Sequence, residues 1–237
     1  MSGVARAAVI VPARNEVETI GSVVAGLRSA GAGRIVVVDN GSTDGTAGAA
    51  IEGGADVIVA PRTGYGWSCL AGVRATADFE IVAFIDGDGS FDPADLAGLV
   101  ELVASGEADL ALGARTRSSM PAHQRAGNRL TLALLRSWYG ISVGDVAPLR
   151  AVRRDLLGAL DMQGTRYGWL VEMLAKAARC GLRIAVRRVS YGPRVAGTSK
   201  VSGSMKGSML AGSDFLRALI AYRAWSPDSS LRRDTSS

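Results

Sequence analysis

Apolar residues fall into short unbroken runs separated by stretches of helical period, and the two patterns alternate over the first 115 residues. Residues 7–11, 35–38, 56–59, 81–85 and 109–114 read as strands buried on both faces. Between them Ile20, Val23, Val24 and Leu27 recur at i, i+3, i+4 and i+7, and Leu96, Leu99, Val100 and Val103 do the same. Asn15, with Glu18 three residues on, has the form of a capping box for the first of these helices. Asp92-Pro93 offers the second an N-cap followed by proline at its first position. A short alanine-rich helix is expected after Thr43, and another after the glycine-rich run from Thr63 to Trp67. Such alternation predicts an α/β fold with a mostly parallel sheet flanked by helices.

Past Ser118 the alternation weakens. Helices are expected over 124–139 and 167–179, a strand over 182–189, and a helix over 202–225 with an apolar set that includes Met205, Met209, Phe215, Leu216, Leu219 and Ile220. The division this suggests is a main domain over 1–201, an amphipathic helical tail over 202–226 and a polar, disordered terminus over 227–237.

Ligands of such sheets bind at the carboxyl ends of strands, and four polar clusters lie there: residues 12–16, 39–44, 86–88 and Arg115. The third, Asp86-Gly87-Asp88, places two carboxylates one residue apart directly after an apolar run. Gly87 lets the backbone bend so that both side chains face one point. Two hard oxygen ligands suit Mg²⁺ or Mn²⁺, which take one or two carboxylates and complete their shell with substrate phosphates. Alone, the pair is more often a polar strand-to-loop turn; the repetition of polar clusters around one edge is what makes it a site.

Length and charge narrow the partners. A chain of 237 residues, 48% of them hydrophobic, can bury a full core. Its formal charge of +5 points to anionic partners such as nucleotides, phosphates or an acidic membrane surface, without the concentrated basicity of a nucleic-acid binder. Cys69 and Cys180 stand apart and lack metal-ligand spacing, so neither a disulfide framework nor a zinc site is expected, and a reducing compartment is. No signal peptide is read at the N-terminus, and no apolar run reaches the 18 residues of a membrane span. His123 is the sole histidine, in an unremarkable Pro-Ala-His-Gln setting, which argues against histidine-based nucleophilic catalysis.

Taken together the clusters resemble the family 2 glycosyltransferases. The matching residues are Val11-Pro12-Ala13-Arg14-Asn15-Glu16, Val37-Val38-Asp39-Asn40-Gly41-Ser42-Thr43-Asp44-Gly45-Thr46 and Asp86-Gly87-Asp88. The second half is similar to the branch of dolichyl- and polyprenyl-phosphate sugar synthases, through the run from Asp145 to Arg150, through Gly168-Trp169-Leu170-Val171-Glu172-Met173, and through Tyr191-Gly192-Pro193-Arg194 with Gly197-Thr198-Ser199-Lys200. The resemblance implies a GT-A-type nucleotide-sugar-binding sandwich. It implies a metal-dependent, inverting transferase moving a hexose from a UDP- or GDP-linked donor to a polyprenyl phosphate, working on the cytoplasmic side as a peripheral membrane protein.

On that resemblance Pro12, Asn15, Glu16 and Asp39 contact the nucleoside, and Asp86 and Asp88 position the metal. Arg115, Arg194 and Lys200 are candidate phosphate binders, since arginine offers a planar fork and lysine a point charge. A polyprenyl phosphate attacks without a general base, whereas a hydroxyl acceptor needs one. Asp145 and Glu172 are the candidates, although Lys176, four residues after Glu172, makes a helical ion pair the alternative there. Two departures stand out: Asn40 replaces a frequent second aspartate, and Ser90 stands where many relatives carry glutamine. Other readings stay open: a soluble transferase with a hydroxyl acceptor, a nucleotidyltransferase, or a non-catalytic nucleotide-sugar binding module. The helical tail packs on the body, on a second subunit in a homodimer, or on a membrane surface.

Overall fold

The computed structural model describes residues 3–116, 122–146, 148–192 and 205–227. A 3₁₀ turn, Gly3–Arg6, leads into β1 (Ala7–Ala13), followed by α1 (Ile20–Ser29), β2 (Arg34–Asp39), α2 (Thr46–Glu52), β3 (Asp56–Val59), α3 (Tyr65–Ala75), β4 (Ile81–Phe84), α4 (Pro93–Ala104) and β5 (Leu110–Ala114). The second half supplies α5 (Ala122–Tyr139), β6 (Arg150–Arg153), α6 (Arg154–Ala159), α7 (Gly168–Arg179), β7 (Ile184–Arg188) and α8 (Met205–Ala221). The strands form one sheet in the order β3-β2-β1-β4-β6-β5-β7, parallel except for β6, which runs against both its neighbours.

The apolar runs of β1, β2, β4 and β5 are explained by burial on both sides, whereas β3, at the sheet edge, is half exposed and departs from that expectation. Along β1, Val9, Val11 and Ala13 face a core shared with α1 and α4, while Ile10 faces the opposite core of α3 and α7. Residues of a strand alternate between faces, so a sheet covered twice needs every position apolar. The helical stripes read from the sequence are the buried faces of α1 and α4. Asp92 caps α4, its Oδ1 accepting from the Ala94 amide at 2.9 Å.

Two local expectations fail. Asn15 does not cap a helix: it sits at φ 51°, in the left-handed region that asparagine tolerates, and α1 begins five residues later. The strand β6 and helix α6 went unforeseen, because β6 is only four residues long and carries a buried arginine at its first position.

Candidate active site

Strand order reverses between β1 and β4: the chain steps from β1 outward to β2 and β3 on one side, then returns to place β4 on the other. Carboxyl-end loops diverge at such a point and leave a crevice. Pro12, Asn15 and Glu16 stand on one side of it and Asp86 and Asp88 on the other.

The β1–α1 and β2–α2 loops are clipped together. The Asn15 amide donates to Ser42 Oγ at 3.0 Å, its Oδ1 accepts from the Thr43 amide at 2.8 Å, and the Glu16 amide donates to Thr46 Oγ1 at 2.8 Å. Asp39 ends β2 and accepts from the Ser42 amide at 2.9 Å and from Ser42 Oγ at 2.5 Å. Asp44 accepts from both the amide and the hydroxyl of Thr46. Burial opposes its charge, but these bonds prevail and hold its pKa below the usual carboxylate value. Asn40, the departure from the second aspartate, accepts from the Gly64 amide at 2.9 Å and so fixes the start of α3.

The Asp86–Asp88 turn is packed from below. A Cβ at Gly87 would lie 3.2 Å from Ile20 Cδ1 and 3.3 Å from Ala13 Cβ, and the Gly87 carbonyl accepts from Thr19 Oγ1 at 2.8 Å. A side chain there would crowd both neighbours by a few tenths of an ångström, whereas the left-handed backbone falls two residues on, at Gly89 with φ 70°. Asp88 is buried, with its Oδ1 accepting from the Ser90 amide at 3.0 Å and from Ser90 Oγ at 2.6 Å. Those bonds also set the direction of the second oxygen. Among the described residues no group of three or more His, Cys, Asp or Glu side chains gathers into a closed metal cage. Two carboxylates on one rigid turn fit an ion that draws its remaining ligands from a diphosphate and water, the habit of Mg²⁺ and Mn²⁺.

On the far side of β4 stands a buried polar cluster that sequence reasoning missed. Arg150 is fully buried, paired in register with Phe84, and its Nη1 donates to the Leu170 carbonyl at 3.1 Å. Burial pulls its pKa down, while Tyr65, Cys69, Asp145 and Asp86 favour its charge. Burial likewise pushes the Tyr65 hydroxyl and the Cys69 thiol well above their ordinary values, with the Asp86 charge acting the same way on both. Both remain neutral, which makes Cys69 inert as a nucleophile.

Arg115 and Asp145, read separately from sequence, meet. Arg115 Nε and Nη2 grip the carboxylate at 2.7 and 2.9 Å, its backbone amide adds a third bond at 3.1 Å, and Asn128 of α5 donates to the same group at 3.0 Å. Burial works against the guanidinium charge, yet the Asp145 bonds more than offset it and raise the Arg115 pKa. The Arg115 cation also lies 5.2 Å from the Tyr191 ring centroid. Tyr191 itself pairs with Phe91 beside the acidic turn, and the Gly192 amide donates to the Ser90 carbonyl at 2.9 Å. The following segment, with Arg194 and Lys200, lies outside the described residues. Asn128 carried no signal in the sequence beyond its place in a helix; Tyr191 was inside a quoted motif but had no assigned role.

Glu172 is fully buried in α7 and accepts from the Gln163 and Gly164 amides at 2.8 and 2.6 Å. Lys176 pairs with it at 2.7 Å, so the helical ion pair held as the alternative is what the structure contains. Lys176 also donates to the Asp161 carbonyl at 2.7 Å and lies over the Tyr222 ring. The loop so held presses on the start of α3, where a Cβ at Gly66 would lie 2.1 Å from the Gly164 carbonyl oxygen. Glu172 thus braces the wall of the crevice.

A mostly parallel sheet with paired acids at its switch point, sandwiched by helices, is the architecture of the GT-A glycosyltransferases. The family model described as glycosyl transferase family 2 matches residues 8–160, and the chain belongs to that family. It is 43% identical over 214 residues to an uncharacterised glycosyltransferase of Mycobacterium tuberculosis, spanning 89% of this chain and 96% of the relative. It is 32% identical to the undecaprenyl-phosphate mannosyltransferase of Micrococcus luteus, over 85% of this chain and 90% of that one. Among solved structures, glucosyl-3-phosphoglycerate synthase of M. tuberculosis, in complex with Mn²⁺, UDP-glucose and phosphoglyceric acid, aligns with a TM-score of 0.77 at 26% identity, covering 94% of this chain and 81% of that one. The same synthase is also solved with Mg²⁺ and UDP. No helix among the described residues is long and apolar enough to cross a membrane.

Proposed function

We propose that this glycosyltransferase moves a hexose from a UDP- or GDP-linked donor to a polyprenyl phosphate, with inversion at the anomeric carbon, at the cytoplasmic membrane surface. The observation that carries this reading is the state of the two candidate bases. Asp145 is held by Arg115 and Glu172 by Lys176, so each carboxylate is spent on a cation. A hydroxyl acceptor needs a base within reach of its proton; an anionic phosphate oxygen does not. The Micrococcus relative acts on undecaprenyl phosphate, which agrees.

Pro12, Asn15, Glu16 and Asp39 hold the nucleoside in the clipped loops, and Asp86 and Asp88 are the residues that would hold Mg²⁺ or Mn²⁺. When bound, that ion supplies positive charge to the leaving group. An acceptor phosphate oxygen attacks the anomeric carbon, a new C–O bond forms, and the bond to the β-phosphate oxygen breaks with its electron pair, releasing the nucleoside diphosphate. Arg115 stands at the acceptor side with Asp145 orienting its guanidinium, and Arg194 and Lys200 bind phosphate oxygens from the segment after Gly192.

A second reading rests on the solved synthase, whose complex contains the soluble acceptor phosphoglyceric acid. Nucleoside diphosphate release, measured with a short-chain polyprenyl phosphate and with phosphoglyceric acid in parallel, separates the two. The first reading expects a glycosyl phosphopolyprenol of inverted configuration by NMR and no transfer to the soluble acid. Transfer to a hydroxyl alone overturns it.

A further inference from the structure

Helices α5 and α8 lie side by side on the second half of the molecule: the Tyr139 hydroxyl donates to the Leu219 carbonyl at 2.5 Å, and Arg223 stands 5.0 Å from the Trp138 ring centroid. Their outward faces are not those of a solvated surface. Along α8, Met209, Leu216 and Ile220 recur at spacings of seven and four, one stripe of a helix, and are 71%, 44% and 59% exposed. Leu130 of α5 is 61% exposed. On α5 the arginines 125, 129 and 136 repeat at spacings of four and seven and are all exposed, and Arg217 and Arg223 are exposed on and just after α8.

The charge distribution is more lopsided still. The segments 122–139 and 205–227 contain six of the chain's 27 basic residues and one of its 22 acidic ones. That acid, Asp214, is buried and paired with Arg166. The local excess equals the +5 of the entire protein, so the remainder of the sequence is balanced. These two adjacent segments therefore carry the whole net charge of the chain together with an exposed apolar stripe.

We infer that this two-helix face docks on the anionic leaflet of a membrane, presenting the Arg115–Asp145 side of the crevice to a lipid-borne phosphate. The inference deepens the polyprenyl phosphate reading and rests on it. Exposed apolar side chains on helices that also expose basic ones suit a headgroup layer over acyl chains. A second copy of this chain fits badly, because an isologous contact would set arginine against arginine with no exposed acid on either side. A nucleic acid would match the arginines and leave the apolar stripe wet. The placement follows from α5 itself, since its Asn128 binds Asp145.

The test is flotation of the full chain with phosphatidylcholine vesicles, with and without phosphatidylglycerol and free of polyprenyl phosphate. Binding only to the anionic vesicles is expected, and its loss in about 1 M salt, where the Debye length is about 3 Å. Arg125→Gln and Arg217→Gln should each lower partitioning about fivefold, Ile220→Ser should lower it too, and Arg74→Gln, exposed on α3, should leave it unchanged. Equal binding to neutral vesicles, insensitivity to salt, or equal loss in Arg74→Gln overturns the surface. A dimer that buries Arg217 overturns it as well. Turnover of a short, water-soluble polyprenyl phosphate without vesicles keeps the two readings apart. Activity there with no vesicle binding removes the surface and leaves the acceptor, whereas vesicle binding with no activity on any polyprenyl phosphate removes the acceptor and leaves the surface.

Discussion

Asp39, Asp44 and Asp88, on the proposed donor side of the crevice, each accept from a neighbour's amide and hydroxyl, those of Ser42, Thr46 and Ser90. Asp145, Glu172 and Asp214, in the second half, each pair with a cation: Arg115, Lys176 and Arg166. The contrast separates two uses of a carboxylate. Neutral donors fix its direction without themselves neutralising it. A lysine or arginine takes that charge, and the acid becomes a brace. Bonds of the first kind are worth about 1.5–3 kcal/mol, while removing one partner of a buried ion pair costs about 3–5 kcal/mol. Chemistry should therefore be lost from the donor side and stability from the second half.

The sharpest test on the donor side is Asp88→Asn, which keeps shape and removes charge. Turnover should fall about a thousandfold or more, equivalent to about 4 kcal/mol of transition-state stabilisation, with the Tm within a few degrees of the parent. Retained activity in EDTA would make Asp88 a structural turn and erase the contrast. Glu172→Gln probes the other side: it leaves Lys176 buried without its counter-charge. A loss of about 3–5 kcal/mol is expected, read as a Tm lower by roughly 10 °C. Turnover, assayed well below that temperature, should fall by less than about tenfold with an unchanged pH profile. A thousandfold loss at unaltered Tm would mark Glu172 as a base and transfer the chemistry to a hydroxyl acceptor.

The fold of the first half was legible in the sequence because its signals are local. Strand, turn and polar cluster follow one another within a few residues, so the apolar run ending at Ile85 and the Asp86–Asp88 pair announce both a strand and the polar turn at its end. In the second half the partners are distant along the chain. Arg115 and Asp145 are thirty positions apart, and each reads alone as a surface charge or a ligand; only the fold makes them one unit. Glu172 and Lys176 form the exception, four residues apart on one helix, and there the ion pair could be foreseen as an alternative. Arg150 defeats pattern reading altogether, since an arginine in a short strand signals exposure while the structure buries it completely. Asn15 errs in the opposite direction: its capping-box spacing is real, but bonds to Ser42 and Thr43 outweigh it and draw the loop away from the helix.

The smallest effect probes the donor side from within. The Ser90 hydroxyl donates to Asp88 Oδ1 at 2.6 Å beside the amide bond at 3.0 Å. Ser90→Ala removes the hydroxyl bond and keeps the amide, so Asp88 loses part of its orientation and none of its charge. A hydrogen bond of this kind is worth about 1.5 kcal/mol, which corresponds to about a tenfold rise in half-saturating Mn²⁺. At saturating Mn²⁺ the ion holds the carboxylate in place, so kcat should return to within about twofold of the parent. Ser42→Ala, the matching change beneath Asp39, should instead raise the donor KM and leave the metal requirement alone. If both serines shift the same constant, the two hydroxyls serve loop stiffness only. If each shifts its own, orientation by a neutral donor is what keeps these acids available to ligand and ion.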